Sequence, residues 1–288
     1  MKKLQRINWK QGMEITPEIF IESDDYHIAE RQLLGMLLSA RCYGLFPNSK
    51  FTMDYELHNN QIAVSISDCI ALVSSGYVVN IQNKTSFNKE LPTDETVECY
   101  VVLSVVLNAD KLTDESELHI VPQYDISFKK INEPIENGIP VLKICRKNAS
   151  WEVAHGYIPP SIAINSIDSL ANKYVEIKNI IHKILAHYAE NDSNHLLLML
   201  LQLDLNNFSS KESPEALTLM MKKFASIFQS CLKTGKAIEP LPEVRKFVES
   251  AYNHNEIGKI LDTGYASLME ILKILETKPM PEIEEIKV

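Results

Sequence analysis

Glycine is scarce in this sequence, nine residues in 288, where average usage of about 7% would supply roughly twenty. Folds that cradle phosphates on glycine-rich loops are thereby disfavoured, and neither a GxGxxG nor a GxxxxGKS/T motif occurs. Long apolar runs are missing too. No stretch reaches the roughly 18 apolar residues that would span a bilayer, and the basic start at Lys2, Lys3 and Arg6 leads into no uninterrupted apolar segment, so neither a span nor a signal peptide is read and the expected address is cytoplasmic. Basic residues are outnumbered, 29 Lys and Arg against 38 Asp and Glu, for a formal charge of −9. Phosphate-binding surfaces draw on clustered Lys and Arg, so a nucleic-acid partner is disfavoured and protein partners are expected. The five cysteines, Cys42, Cys69, Cys99, Cys145 and Cys231, are odd in number, widely spaced and mostly set among apolar neighbours. They read as reduced core thiols.

What is present is 45% hydrophobic residues, enough for one large or two modest globular domains. "INWKQGMEITPEIFIESDDY" opens the chain with a tryptophan-led arm broken by Pro17, after which Tyr26, Ala29, Leu33, Leu37 and Ala40 recur at helical spacing. Asp24 or Asp25 is placed to cap that helix and Gly44 to stop it. From about 50 to 160 the apolar period is two, as in "QIAVSIS", "IALVSSGYVVNIQ", "ETVECYVVLSVVLNA", "ELHIVPQYDISFK", "IPVLKICRK" and "SWEVAHGYI". These predict strands, with "NKTSFNKELPTDET" and "NEPIENG" as turns between them.

The paired Pro159 and Pro160 can neither extend a helix nor donate to a sheet ladder, which puts a domain boundary close to residue 165. Four helices are predicted beyond it. One carries the stripe Tyr174, Ile177, Ile180, Ile181, Ile184, Leu185 and Tyr188; the next, "HLLLMLLQLDLNNF", reads as largely buried. A third opens with Ser213 as cap and Pro214 in first position, and the fourth runs from Glu256 to Leu275. In the fourth, Ile257, Leu261, Leu268, Ile271 and Leu275 follow a spacing nearer 3.5 than 3.6 residues, with Gly264 in the same seam. Such a seam suits contact with other helices, of this chain or of another subunit. The plan is α+β, with a β-rich part over 1–165, a helical part over 166–278 and a short charged tail over 279–288.

Catalytic patterns do not assemble. Ser86-Phe87-Asn88-Lys89 with Lys233-Thr234-Gly235 imitates two elements of a β-lactamase signature, but the middle Ser-Asp-Asn is missing and the first element reads as a polar loop. His182 and His187 lie five apart with no carboxylate placed as in HExxH, and there is no CxxC pair. Asp24 and Asp25 are adjacent and cannot flank a substrate as an acid/base pair. No catalytic, cofactor or metal residue is assigned and no cofactor is expected. Trp9, Met13, Ile15, Pro17 and Phe20 stand apart, because large apolar groups in a terminal arm must be buried against either their own sheet or a partner. Together with Ile257, Leu261, Leu268 and Ile271 they are the candidate protein-interface residues.

Trp9, Gly12, Met13, Ile15, Pro17, Phe20, Asp24 and Tyr26 resemble the N-terminal signature of the TssK family, baseplate adaptors of bacterial type VI secretion systems. Ile15 stands for a leucine there, and Thr16, Glu18 and Ile19 replace the Arg, Gln and His usual around the proline. "YIPPSIAI" is similar to the segment that closes the family's β domain, and "YNHNEIGKILDTGYASLMEIL" to its Tyr-Asp-His lead-in, with Asn253 in place of the aspartate. The three segments occur in family order across almost the whole chain. The resemblance implies a β-sandwich-like shell akin to the shoulder of phage receptor-binding proteins, a four-helix bundle stalk, a homotrimer, and wedge partners TssF and TssG. It also implies a short form without the usual C-terminal domain, with the envelope-anchor partner left open. A phage or other contractile-injection baseplate or receptor-binding protein, and a small cytoplasmic enzyme whose site is assembled from distant residues, are the alternative readings.

Overall fold

The computed structural model describes residues 7–39, 43–47, 49–58, 60–93, 97–106, 123–147, 150–189, 195–232 and 241–277. They are mixed α and β and divide into two compact units, Met1–Ile162 and Ala163–Val288. The charged tail, Cys42 and Lys233-Thr234-Gly235 lie outside the described residues.

The first unit opens with helix α1, Pro17–Ser39. Pro17 does not break the arm; it starts the helix. Its fixed φ suits the first helical position and its missing N–H would have no intrahelical partner there, while the Thr16 carbonyl accepts from the N–H groups of Ile19 and Phe20. Asp24 and Asp25 therefore sit inside the helix rather than at a cap, and the helix ends at Ser39. Gly44 is not its stop. It belongs to strand β1 (Gly44–Leu45) with φ +121°, and a Cβ there would lie 2.1 Å from the Pro160 carbonyl oxygen, so the position needs glycine on both counts. That close approach lets Leu45 donate to Pro160 and accept from Ile162, both at 2.9 Å.

Nine further strands are described: β2 Thr52–His58, β3 Gln61–Ser67, β4 Cys69–Leu72, β5 Val78–Ile81, β6 Thr85–Glu90, β7 Glu98–Val106, β8 Gln123–Lys130, β9 Gly138–Lys147 and β10 Ser150–Val153. They form three antiparallel sheets in the orders β1-β4-β5, β2-β3-β6 and β10-β9-β7-β8. The alternation in β3 buries Ile62, Val64 and Ile66. The central strand β7 is buried from Cys99 to Leu103 on both faces, as an unbroken apolar run demands. "IALVSSGYVVNIQ" is two strands, because Val73–Gly76 closes a turn with Gly76 at φ +86°. The segment read as a turn at "NKTSFNKE" is strand β6; its Ser86 bonds Ser65 and its Lys89 pairs with Asp125. Three residues apart on a strand, Ser86 and Lys89 point to opposite faces, which ends any shared chemistry.

The second unit contains α2 Asp168–Ala189, α3 His195–Asn207, α4 Pro214–Leu232, α5 Pro242–Glu249 and α6 Ile257–Thr277. The expected count of four helices is one short: α5 is only eight residues long, with Val244 and Phe247 as its buried apolar anchors. α6 packs against α2, α4 and α5. Gly264 permits this, since a Cβ there would stand 2.4 Å from Met221 Cε and 2.6 Å from Phe247 Cζ. Phe224, Phe228 and Phe247 are fully buried, and the hydroxyls of Tyr174 and Tyr188 donate to the Phe208 and Phe228 carbonyls at 2.9 and 3.0 Å. Burial raises both phenols above their ordinary pKa.

Candidate interaction surface

The segment before α1 folds back on it. Gly12, at φ +83°, turns the chain so that Met13 donates to Lys10, and Trp9 comes to rest 6.5 Å from the Phe20 ring centroid, tilted by 54°. This pair covers little: Trp9 remains 48% and Phe20 56% exposed. Met13, Ile15, Ile21, Ile28, Leu34, Met36 and Leu37 are exposed as well, Leu37 by 66%.

Among the described residues the helix meets its own unit around Gly76. Ala29 and Gly35 are buried, and Gln32 Nε2 donates to the Ser75 carbonyl at 3.4 Å. Gly35 meets Gly76 backbone to backbone; a Cβ on Gly35 would lie 2.2 Å from the Gly76 oxygen. The turn it rests on is rigid, because Gly76 donates to Val73, Ser75 to Glu136, and the Ser74 hydroxyl contacts the Ile135 and Glu136 carbonyls.

On a helical wheel the exposed apolar groups of α1 are not confined to one stripe: Phe20, Ile21 and Ile28 occupy one side, and Leu34 and Leu37 another. A helix that is apolar on several sides is normally buried, so α1 carries more uncovered surface than its seat accounts for. The stripe read as Tyr26, Ala29, Leu33, Leu37 and Ala40 is only partly inward: Ala29 is buried, Tyr26 and Leu33 half-buried and Leu37 exposed, and Ala40 lies outside the described residues. Acidic residues crowd the same helix, Glu18, Glu22, Asp24, Asp25 and Glu30. The Thr16 side chain bonds Glu18 and lowers its pKa.

The other candidate interface residues lie elsewhere. Ile257, Leu261, Leu268 and Ile271 are all fully buried within the second unit. They face α2, α4 and α5 of the same chain, while Leu275, the last residue of that seam, is half-buried. Sequence periodicity missed an outward apolar face on α3: Leu198, Leu201 and Leu205 are buried, but Met199, Leu200 and Leu203 are exposed, so this helix is half-covered rather than largely buried. A run of six consecutive apolar residues, Leu196 to Leu201, hides its inward stripe, which is why no periodic signal marks the outer one.

Depressions lie on the described surface; one of ≈ 410 Å³ in the second unit is lined by Asp204, Phe208, Glu212, Lys223 and Phe224. Another of ≈ 450 Å³ is lined by Asn80, Gln82, Asn83, Thr85, Gln123 and Tyr124, and its only ionisable side chain, the Tyr124 phenol, is held by the Asn80 backbone. Among the described residues no group of three or more His, Cys, Asp or Glu side chains could hold a metal ion, and no helix is long and apolar enough to cross a membrane.

The fold and this surface define a two-unit α+β protein that presents an uncovered apolar helix at the front of its sheet-rich unit. That fold is similar to the fold of TssK. A crystal structure of TssK matches with a TM-score of 0.63 at 14% identity, over 94% of this chain and 70% of the TssK chain. A chain of the type VI secretion TssK-TssF-TssG baseplate subcomplex matches with 0.61 at 15% identity, over 94% and 99%. TssK of the EAEC type VI system, solved with a nanobody, matches with 0.56 at 14% identity, over 87% and 69%. At these identities the likeness is one of fold. No family model and no curated protein matches the sequence.

Proposed function

We propose that this chain is a structural baseplate subunit of a type VI secretion system, a homotrimeric cytoplasmic adaptor. It docks on the wedge proteins TssF and TssG and helps link the contractile sheath and tube to an envelope anchor. The observation that carries the reading is the uncovered apolar surface of residues 9–37 on a chain with the fold of TssK, since isolated proteins seldom leave so large an apolar patch in water unless it meets a partner. Under this reading residues 1–165 form the sandwich-like shell, and the helices from 166 onward form the bundle of the stalk. Function rests on symmetric association and docking rather than bond chemistry. Three copies of the shell would hold a wedge far more tightly than one, because the second and third contacts form at high effective concentration.

Two measurements test this. Light scattering on the purified chain should give about three times the protomer mass of 32.7 kDa, and the chain should co-purify with TssF and TssG of its own system. A stable monomer at micromolar concentration that ignores both wedge proteins would refute the reading. Exchanging Trp9 and Phe20 for alanine should weaken assembly or wedge binding while leaving the fold intact, because both rings are about half exposed.

A further inference from the structure

The charge on α1 narrows what can cover it. Between Lys10 and Arg31 the chain carries Glu14, Glu18, Glu22, Asp24, Asp25 and Glu30 and no other fixed cation. Glu18, Glu22 and Asp25 follow at intervals of four and three, so they share one flank of the helix, and on the wheel that flank is the one that Ala29 continues. In the second half of α1 this flank is buried at Ala29, beside Gln32 and its bond to Ser75. In the first half Glu18 and Glu22 are exposed and Asp25 is half-buried. Phe20, Ile21 and Ile28 form the adjacent flank, also exposed.

We infer that the front half of α1 is held in a groove of the wedge that is apolar at its floor and rimmed by Lys or Arg. It is not paired with α1 of a second copy of this chain. An α1–α1 contact would bring the acidic flanks of two copies together, within a chain of net charge −9, and like charges set opposite one another across an interface are strongly disfavoured. A basic-rimmed groove covers Phe20, Ile21 and Ile28 and neutralises Glu18 and Glu22 in the same act. This inference rests on the baseplate reading for the identity of the partner, and on α1 alone for its chemistry.

The test uses the full chain and its TssF–TssG pair. Glu18→Lys with Glu22→Lys should weaken wedge binding about tenfold, as should raising the salt concentration several-fold. A control with the same charge change on exposed positions of the second unit, Glu215→Lys with Glu276→Lys, should bind as the unaltered chain does. The solution mass should be the same for all three proteins. If the α1 reversal folds poorly, judged by its unfolding midpoint, the milder Glu18→Gln with Glu22→Gln should give a smaller loss in the same direction. Wedge binding that is indifferent to both α1 variants, or a solution mass that changes with them, overturns the inference and leaves the baseplate reading standing; the changed mass would place α1 between copies. Failure of every protein to bind the wedge sinks the baseplate reading instead. The inference is then decided by a synthetic Leu/Lys amphipathic peptide: saturable binding lost in the α1 reversal and kept in the control supports it, and equal or absent binding overturns it.

Discussion

Replacing Gly35 by alanine sets two known effects against each other. In an exposed helix interior the change is favourable by about 1 kcal/mol, because alanine loses less backbone freedom than glycine. Here the new methyl would stand 2.2 Å from the Gly76 oxygen and 2.8 Å from its Cα, whereas non-bonded heavy atoms settle at about 3.5–4.0 Å. The partner is backbone in a turn held from both sides, so it cannot retreat, and α1 must lift by an ångström or more. What it leaves behind is small. One methyl at Ala29 contributes about 0.8 kcal/mol by burial, and the Gln32 to Ser75 bond about 1 kcal/mol. The loss of about 2 kcal/mol is half offset by helix propensity, so global stability should shift by no more than about 1 kcal/mol. Protection of the α1 amides should fall towards that of an isolated helix. Hydrogen exchange followed by mass spectrometry reads the first effect and urea unfolding the second. Unchanged exchange in residues 17–39, or a loss of more than about 3 kcal/mol accompanied by exchange in β4 and β5, would show that α1 is seated differently from what the glycine contact requires.

Three further outcomes are expected. Phe224→Ala empties a fully buried site whose ring lies 5.5 Å from that of Phe228 and should cost about 3–5 kcal/mol in urea unfolding; a loss below about 1 kcal/mol would contradict the packing of the second unit. Burial pushes the Cys69 thiol from its ordinary value near 9 up to about 12. Below pH 9 both folded and unfolded chains keep that proton; between about 9 and 12 the unfolded chain alone releases it, so stability should decline through that window. Cys69→Ala should flatten the decline, and a native Cys69 that reacts quickly with a thiol reagent at pH 8 would refute the burial. Tyr174→Phe removes the hydroxyl bonded to Phe208 and should cost about 1 kcal/mol, readable as a lower urea midpoint at unchanged slope.

The strands were legible wherever one face is wet and the other dry, as in β3, and wherever a run is buried on both sides, as in β7. Reading Pro17 as a break hides the start of α1, because proline is also well suited to the first helical position; Pro214 and Pro242 open α4 and α5 in the same way. Strand β6 was hidden by its polar residues, Thr85, Ser86, Asn88 and Lys89, which face a half-wet sheet. The interface candidates divide for a related reason. Apolar spacing reports that a stripe must be covered but not by what, so the buried residues of the α6 seam and the exposed residues of the arm carry the same signal. Outward apolar groups such as Met199 and Leu203 give no periodic mark at all.

The clasp between Leu45 and residues 160–162 has a consequence for biosynthesis. It joins points more than a hundred residues apart, a closure that costs roughly 4 kcal/mol of chain entropy and can form only after Ile162 is made. At about 5–20 residues per second, α1 leaves the ribosome roughly 6–25 s before the strand-to-proline latch exists. The exposed apolar groups of α1 are thus synthesised well before the unit that carries them can close.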